Sequence, residues 1–220
     1  MYKDIMNARK IFFATLLTAF TLSTQAQDQS KQLLDQVSTE MASYKTMDLV
    51  FEYSLDNNQE DVHQQTSGTA QIQGDLYHIN FLDNVFIYDG ENTIVIIPED
   101  EEVNISQGNM DDEGLMTPSK LFSFYKEGYT YKWDILVNEE GKKIQFIQLI
   151  PIDTNSEVGS MLLGIDVDQK RIYKLIETGK DGVITTFKIS KFGVNSPISE
   201  DLFKFDKNHY EELDYIINQS

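Results

Sequence analysis

The chain has 220 residues, no cysteine, and 36 acidic against 18 basic side chains, for a formal net charge of −18. So acidic a chain lacks the basic surface that binding nucleic acid or adsorbing to anionic lipid requires. Without cysteine it forms no disulfide and cannot itself be acylated on a thiol, while its length suits one domain with a sizeable core.

Arg9 and Lys10 precede an apolar segment, Ile11–Leu22, and small or polar residues follow as far as Ala26. These are the charged, apolar and cleavage regions of a secretory signal peptide. Twelve residues are too few to cross a bilayer. Cleavage after Ala26, with Met6 a plausible true start, leaves residues 27–220 as a single exported, soluble domain with no membrane anchor. Because Lys3, Arg9 and Lys10 leave with only Asp4, that domain carries −20.

Ser30 is a candidate N-cap, and Leu33, Leu34, Val37 and Met41 follow at helical spacing, predicting an amphipathic helix over 30–44. The period then drops to two. Met47, Leu49, Phe51, Tyr53 and Leu55 alternate with polar residues and predict a half-buried strand. Residues 56–65 read as a polar loop and Thr66–Gln73 as a weak strand. Leu76–Leu82 follows, with Tyr77, Ile79 and Phe81 on one face. Asp89-Gly90 separates the apolar runs Val85–Tyr88 and Ile94–Ile97, a strong hairpin signal. Ile94–Ile97 does not alternate, which predicts cover on both faces of that strand, and Pro98 ends it before the acidic turn Glu99–Glu102.

Gln107–Met116 is a flexible acidic loop bearing Met110, Leu115 and Met116, and Thr117-Pro118 opens a short helix showing Leu121 and Phe122 and stopped at Gly128. Tyr129, Tyr131, Trp133, Ile135 and Val137 alternate in the next strand. Ile144–Ile150 slips parity between Phe146 and Ile147, which predicts a β-bulge there. Met161–Val167, Ile172–Ile176 and Val183–Ile189 complete the strands, Ser199–Phe203 is a helical turn, and Tyr210–Ile217 has no clear pattern. About eleven strands and two or three helices predict a mainly β (α+β) fold. The picture is one large curved antiparallel sheet with the helices laid over its inner face.

Little in this pattern carries chemistry. His63, His78 and His209 are scattered, there is no cysteine nucleophile, and neither a G-x-S-x-G elbow nor a phosphate-cradling glycine loop occurs. Asp166 and Asp168 with Glu177 do not make a calcium loop, since Lys170 and Arg171 stand where an oxygen ligand and a glycine would be needed. The expectation is therefore a protein that is not an enzyme and holds no cofactor or metal. The aromatic residues offered to the inner face, Phe51, Tyr53, Tyr77, Phe81, Tyr131, Trp133 and Phe187, together with Ile79, Ile96 and Ile189, have two readings. One by one they read as core; together they could line an apolar cavity, with Met110, Leu115, Met116, Leu121 and Phe122 as its lid.

The order of features resembles the LolA type of periplasmic outer-membrane lipoprotein carrier. The matching pieces are the helix L-L-D-Q-V-S-T-E-M, then G-D-L-Y-H-I-N-F, V-F-I-Y-D-G-E-N-T-I-V-I-I-P-E-D-E-E-V and T-P-S-K-L-F, and L-L-G-I-D-V-D-Q-K-R-I-Y-K-L onward to D-L-F-K-F, over roughly residues 30–206. The resemblance implies an unclosed β-barrel with a helical lid. It also implies a monomeric carrier of acylated lipoproteins, served by an inner-membrane loading complex and an outer-membrane receptor. A lipid- or lipoprotein-sensing envelope-stress module on the same fold, or a general lipid-binding periplasmic protein, are the alternatives. Two family features are missing. The family's arginine near the end of the strand read here as Leu76–Leu82, which helps hold the lid, has no counterpart, since the only arginines are Arg9 and Arg171; and no proline follows Phe203-Lys204-Phe205.

Overall fold

The computed structural model describes residues 28–109 and 122–219. The segment 1–26, the lid residues Met110, Leu115, Met116 and Leu121, and the start of the helix expected at Thr117 lie outside them. Residues 28–43 form α1. Twelve strands follow: β1 (Thr46–Asn57), β2 (Val62–Gln73), β3 (Leu76–Phe81), β4 (Asn84–Tyr88), β5 (Asn92–Ile97), β6 (Glu102–Gln107), β7 (Tyr129–Glu139), β8 (Lys142–Pro151), β9 (Val158–Asp166), β10 (Arg171–Gly179), β11 (Ile184–Val194) and β12 (Ile216–Gln219). A second helix, α2 (Lys207–Glu212), precedes β12.

All twelve strands belong to one sheet, in the order β12-β6-β5-β4-β3-β2-β1-β11-β10-β9-β8-β7. β12 and β7 are its two edges, so the sheet curls without closing. Every pairing is antiparallel except β12 on β6, which is parallel. Short turns explain the meander. At Asp89 the carboxylate accepts from the amides of Glu91 (2.8 Å) and Asn92 (2.7 Å), while Gly90 takes a φ of +99° that an L side chain resists.

α1 fills the inner face. Leu33, Leu34, Val37 and Met41 lie along one stripe and pack with Leu49, Ile72, Tyr77, Ile147, Leu149, Leu163, Ile165 and Ile172 in the main core. Ser30 is buried inside the helix and does not cap it. α2, in the tail whose sequence shows no clear pattern, lies elsewhere, because Tyr210 packs on the opposite side of the sheet. There Phe205, Tyr210, Tyr215 and Ile217 cover Ile87, Ile94, Ile96 and Val103, which is why Ile94–Ile97 reads as apolar on both faces. A third cluster, Ile144, Phe146 and Tyr173 with Val137, Leu162 and Ile176, sits on the outer face of β7–β10.

Three further expectations change. Residues 56–65 are mostly strand. β1 runs to Asn57 and β2 starts at Val62, joined by a tight turn in which Asn57 Oδ1 accepts from the amides of Gln59 and Glu60. The β-bulge lies in β7: Trp133 faces Ile147 but Leu136 faces Gln145, so the extra residue is opposite Phe146, while β8 pairs with β9 in unbroken register. Gln145 Nε2 donates to the carbonyl oxygens of Asp134 (2.8 Å) and Ile135 (3.4 Å), satisfying backbone the bulge frees. Past the bulge the parity of β7 inverts, so Ile135 is exposed and Val137 joins the outer cluster. Finally, the described part of the Thr117 helix, from Phe122, is a turn followed by a 3-10 turn at Phe124–Lys126.

Gly68 has no room for a side chain. It is paired with Phe51, and a Cβ added there would run into the Phe51 ring and lie 2.7 Å from the Asn80 carbonyl oxygen. Gly68→Val should therefore destabilise by about 1–3 kcal/mol, a chemical-denaturation loss that Phe51→Leu, by freeing space, should partly reverse.

Candidate functional site

The inner face divides into two parts. Beneath α1 the side chains are closely packed, and Leu163, Ile165, Leu149 and Val37 are 0% exposed. Around it, Ile79, Phe81, Phe86, Tyr131, Trp133 and Phe187 pack against that core but stay half-buried. Strand register explains the arrangement. Tyr53 lies opposite Phe187 and Phe51 opposite Ile189 across β1 and β11, and Gly68 opposite Phe51 leaves room for the ring. Phe51 stands at the centre, with ring centroids 4.9 Å from Phe187 and 5.5 Å from Phe81, and Tyr53 meets Phe81 edge-on at 5.3 Å. Such tilted and edge-on contacts are favoured by the ring quadrupoles.

Of the residues singled out in the sequence, the structure brings Phe51, Tyr53, Phe81 and Phe187 into one ring cluster, with Ile189 buried beside it. Tyr77 belongs to the core below, 1% exposed and paired with Tyr88 at 5.7 Å. Tyr131 and Trp133 share the inner face but sit on the edge strand β7, and Trp133 lies opposite Ile147. The Tyr131 hydroxyl donates to the carbonyl oxygens of Tyr125 (2.7 Å) and Lys126 (3.1 Å), tying the Phe122–Lys126 segment to that edge. Phe122 packs on the main core. Ile96 is a correction. It pairs with Val85 and Val103 and is 3% exposed in the cluster under the C-terminal tail, on the other side of the sheet. A strand covered on both faces gives no parity from which its inner side could be read.

Sequence reasoning passed over Phe86, Leu175 and Glu177 as inner-face residues. Phe86 was legible from the hairpin, since a two-residue turn at Leu82-Asp83 sets it opposite Ile79. Glu177 follows Leu175 by two residues and pairs with Met161 and Thr185, so it points to the inner face near Tyr129. Burial raises its carboxyl above the ordinary value of 4.5, and no cation among the described residues pairs with it. A raised folded value means the protonated form suits the fold. Its stability contribution is full below the unfolded value and is lost as pH rises through the folded one. Glu177→Gln should therefore match the parent in thermal unfolding at acid pH and exceed it increasingly as the pH rises to neutral. Equal melting temperatures at neutral pH would contradict the placement.

The polar groups of interest are otherwise dispersed. Asp166 Oδ1 accepts from the amides of Asp168 and Gln169 at 3.0 Å each and so shapes the β9–β10 turn, far along β10 from Glu177. His63 Nδ1 lies 2.8 Å from Asp56, and His78, whose basicity burial lowers, is on the outer face. Among the described residues no group of three or more His, Cys, Asp or Glu is placed to hold a metal, and no helix is long and apolar enough to cross a membrane.

One twelve-stranded open sheet, curled around a single packed helix and carrying half-covered aromatic rings, defines an unclosed, helix-filled β-barrel. The family model described as "Outer membrane lipoprotein carrier protein LolA" matches residues 42–206, and the chain belongs to that family. It is 23% identical over 195 residues to the outer-membrane lipoprotein carrier protein of Pseudoalteromonas translucida (strain TAC 125), covering 85% of this chain and 87% of that one. Among solved structures it resembles an uncharacterized conserved protein from Thermus thermophilus, with a TM-score of 0.59 at 10% identity over 87% of this chain and 99% of that one, a likeness of fold alone.

Proposed function

We infer that this protein is exported, loses residues 1–26, and works as a carrier that shields the acyl chains of lipoproteins on its inner face and hands them on towards the outer membrane. The observation that carries the reading is the ring cluster Phe51, Tyr53, Phe81 and Phe187, in which Phe51 is buried and the other three rings are only half-buried. Family membership and the similarity to a named carrier support it. The physical demand is clear. Each buried methylene of an acyl chain is worth about 0.8 kcal/mol, so a multiply acylated protein does not cross water unshielded. A half-open aromatic surface offers less burial than a bilayer, which lets the cargo leave for a membrane. Loading and release would then fall to partners in the inner and outer membranes.

Native mass spectrometry of the protein recovered from the periplasm tests this reading. The expected species begins at Gln27 and carries one lipidated polypeptide. Recovery with free lipid alone would instead favour a general lipid-binding protein, and a chain still beginning at Met1 or Met6 would overturn the export step.

A further inference from the structure

We propose a second ligand site, for a phosphate group, in the cavity that opens where β10 and β11 part company. The two strands pair only from Lys174 to Thr178 and from Ile184 to Lys188. Beyond that, β11 shifts register by one residue at Ser190 and stays with β1, while β10 shifts at Tyr173 and stays with β9. The gap left between them is a cavity of about 220 Å³, many times what one water molecule needs. Ile172, Ile189 and Phe192 line its apolar side, and Lys142, Arg171 and Gln169 offer donors to it.

The charges of this cavity are the reason for the ligand class. In a chain with twice as many acids as bases, Arg171 makes no ion pair among the described residues. Its guanidinium is held by other means. Nε donates to the Tyr44 hydroxyl (2.8 Å), which itself donates to Glu40 (2.8 Å), and the cation lies over the rings of Tyr44 (5.0 Å) and Phe192 (4.8 Å). This fixes the plane of the group and leaves its two terminal nitrogens without a described acceptor, the fork that binds two oxygens of one anion. Lys142 stands over the Tyr173 ring at 4.7 Å. Glu139 pairs with Lys174 and Glu140 with Lys188, so Lys142 meets Glu140 only through space and makes no direct ion pair among the described residues. Asp166 is the acid in the lining, and its Oδ1 is committed to two backbone amides. One fork and one point charge facing a common space suit a tetrahedral phosphate, whether free or on a lipid headgroup. This site does not depend on the carrier reading, because it lies at the strand gap and not in the ring cluster.

The test is isothermal titration of the chain from Gln27 with inorganic phosphate and, separately, with a short-chain phosphatidylglycerol below its micelle concentration. The expected result is saturable binding of phosphate, weakened about tenfold or more in Arg171→Lys, which keeps charge but loses the fork, and in Lys142→Gln. Phe187→Ala, in the ring cluster, should leave phosphate binding unchanged. Tighter binding of the lipid would assign the site to headgroups, and equal binding to free phosphate; both uphold it. No binding of either ligand, or binding that both variants leave unaltered, would overturn it. Thermal unfolding of each variant shows that the fold is retained.

Discussion

Phe51→Ala should lower the unfolding free energy by about 3–5 kcal/mol, and Phe187→Ala by only about 1–2 kcal/mol. Both rings belong to one cluster, but Phe51 is 6% exposed and wedged over Gly68, whereas Phe187 is half-buried at the open side. Removing Phe51 leaves a cavity that β1, held by β2 and β11 on both sides, cannot collapse. Removing Phe187 mostly widens a surface that is already open. The pair touches at 4.9 Å, so the double variant should lose less than the two single losses added together. In function the order should reverse. Phe187→Ala alters delivery of a lipoprotein per folded molecule more than it alters stability. Equal and large losses of stability from both would mean that the whole cluster is ordinary core.

Ending the chain after Asp206 should cost at least about 3 kcal/mol and lower the melting temperature by roughly 6–12 °C. The truncation deletes Tyr210, Tyr215 and Ile217, the lid over Ile87, Ile94, Ile96 and Val103, and removes the strand that pairs with β6. Tyr210 stacks on Phe205 at 5.3 Å and meets Tyr215 edge-on at 5.2 Å, so the cover acts as one unit. β6 would then become a bare edge beside freshly exposed isoleucines, a combination that invites pairing with other chains. Light scattering on heating should show association in the truncated protein before it does in the parent. An unchanged melting temperature would show that the tail adds nothing to the fold.

That tail also marks where sequence reading stops. The run Ile94–Ile97 declared two covered faces, yet nothing in it names Tyr210 and Tyr215, far along the chain in a segment with no clean period. Ile96 was thereby assigned to the wrong side. Turn chemistry was far more legible. Asp89-Gly90 specifies its hairpin with two side-chain hydrogen bonds and one positive φ, all within four residues. Between these extremes, the parity slip at Phe146 did not mark a bulge in β8. Phe146 and Ile147 simply fill opposite faces of a strand buried on both, and the extra residue that bends the ladder sits in β7. The tip of the β1–β2 hairpin was hidden because His63, Gln64 and Gln65 are exposed in succession and so show no apolar alternation. The inner aromatics of β1, β3, β7 and β11 came through because each strand keeps one wet face.

Trp133 supplies the most direct measurement of whether acyl chains lie on this inner face. It is the only tryptophan of the chain, half-buried, on the inner side of the edge strand β7. A diacylated lipopeptide with brominated chains should quench its emission in a saturable manner and to the same endpoint whether quenching or co-sedimentation reports the binding, while the unacylated peptide leaves it unchanged. Full emission from Trp133 in a complex that co-sedimentation shows to be saturated with the lipopeptide would place the chains elsewhere and contradict the account.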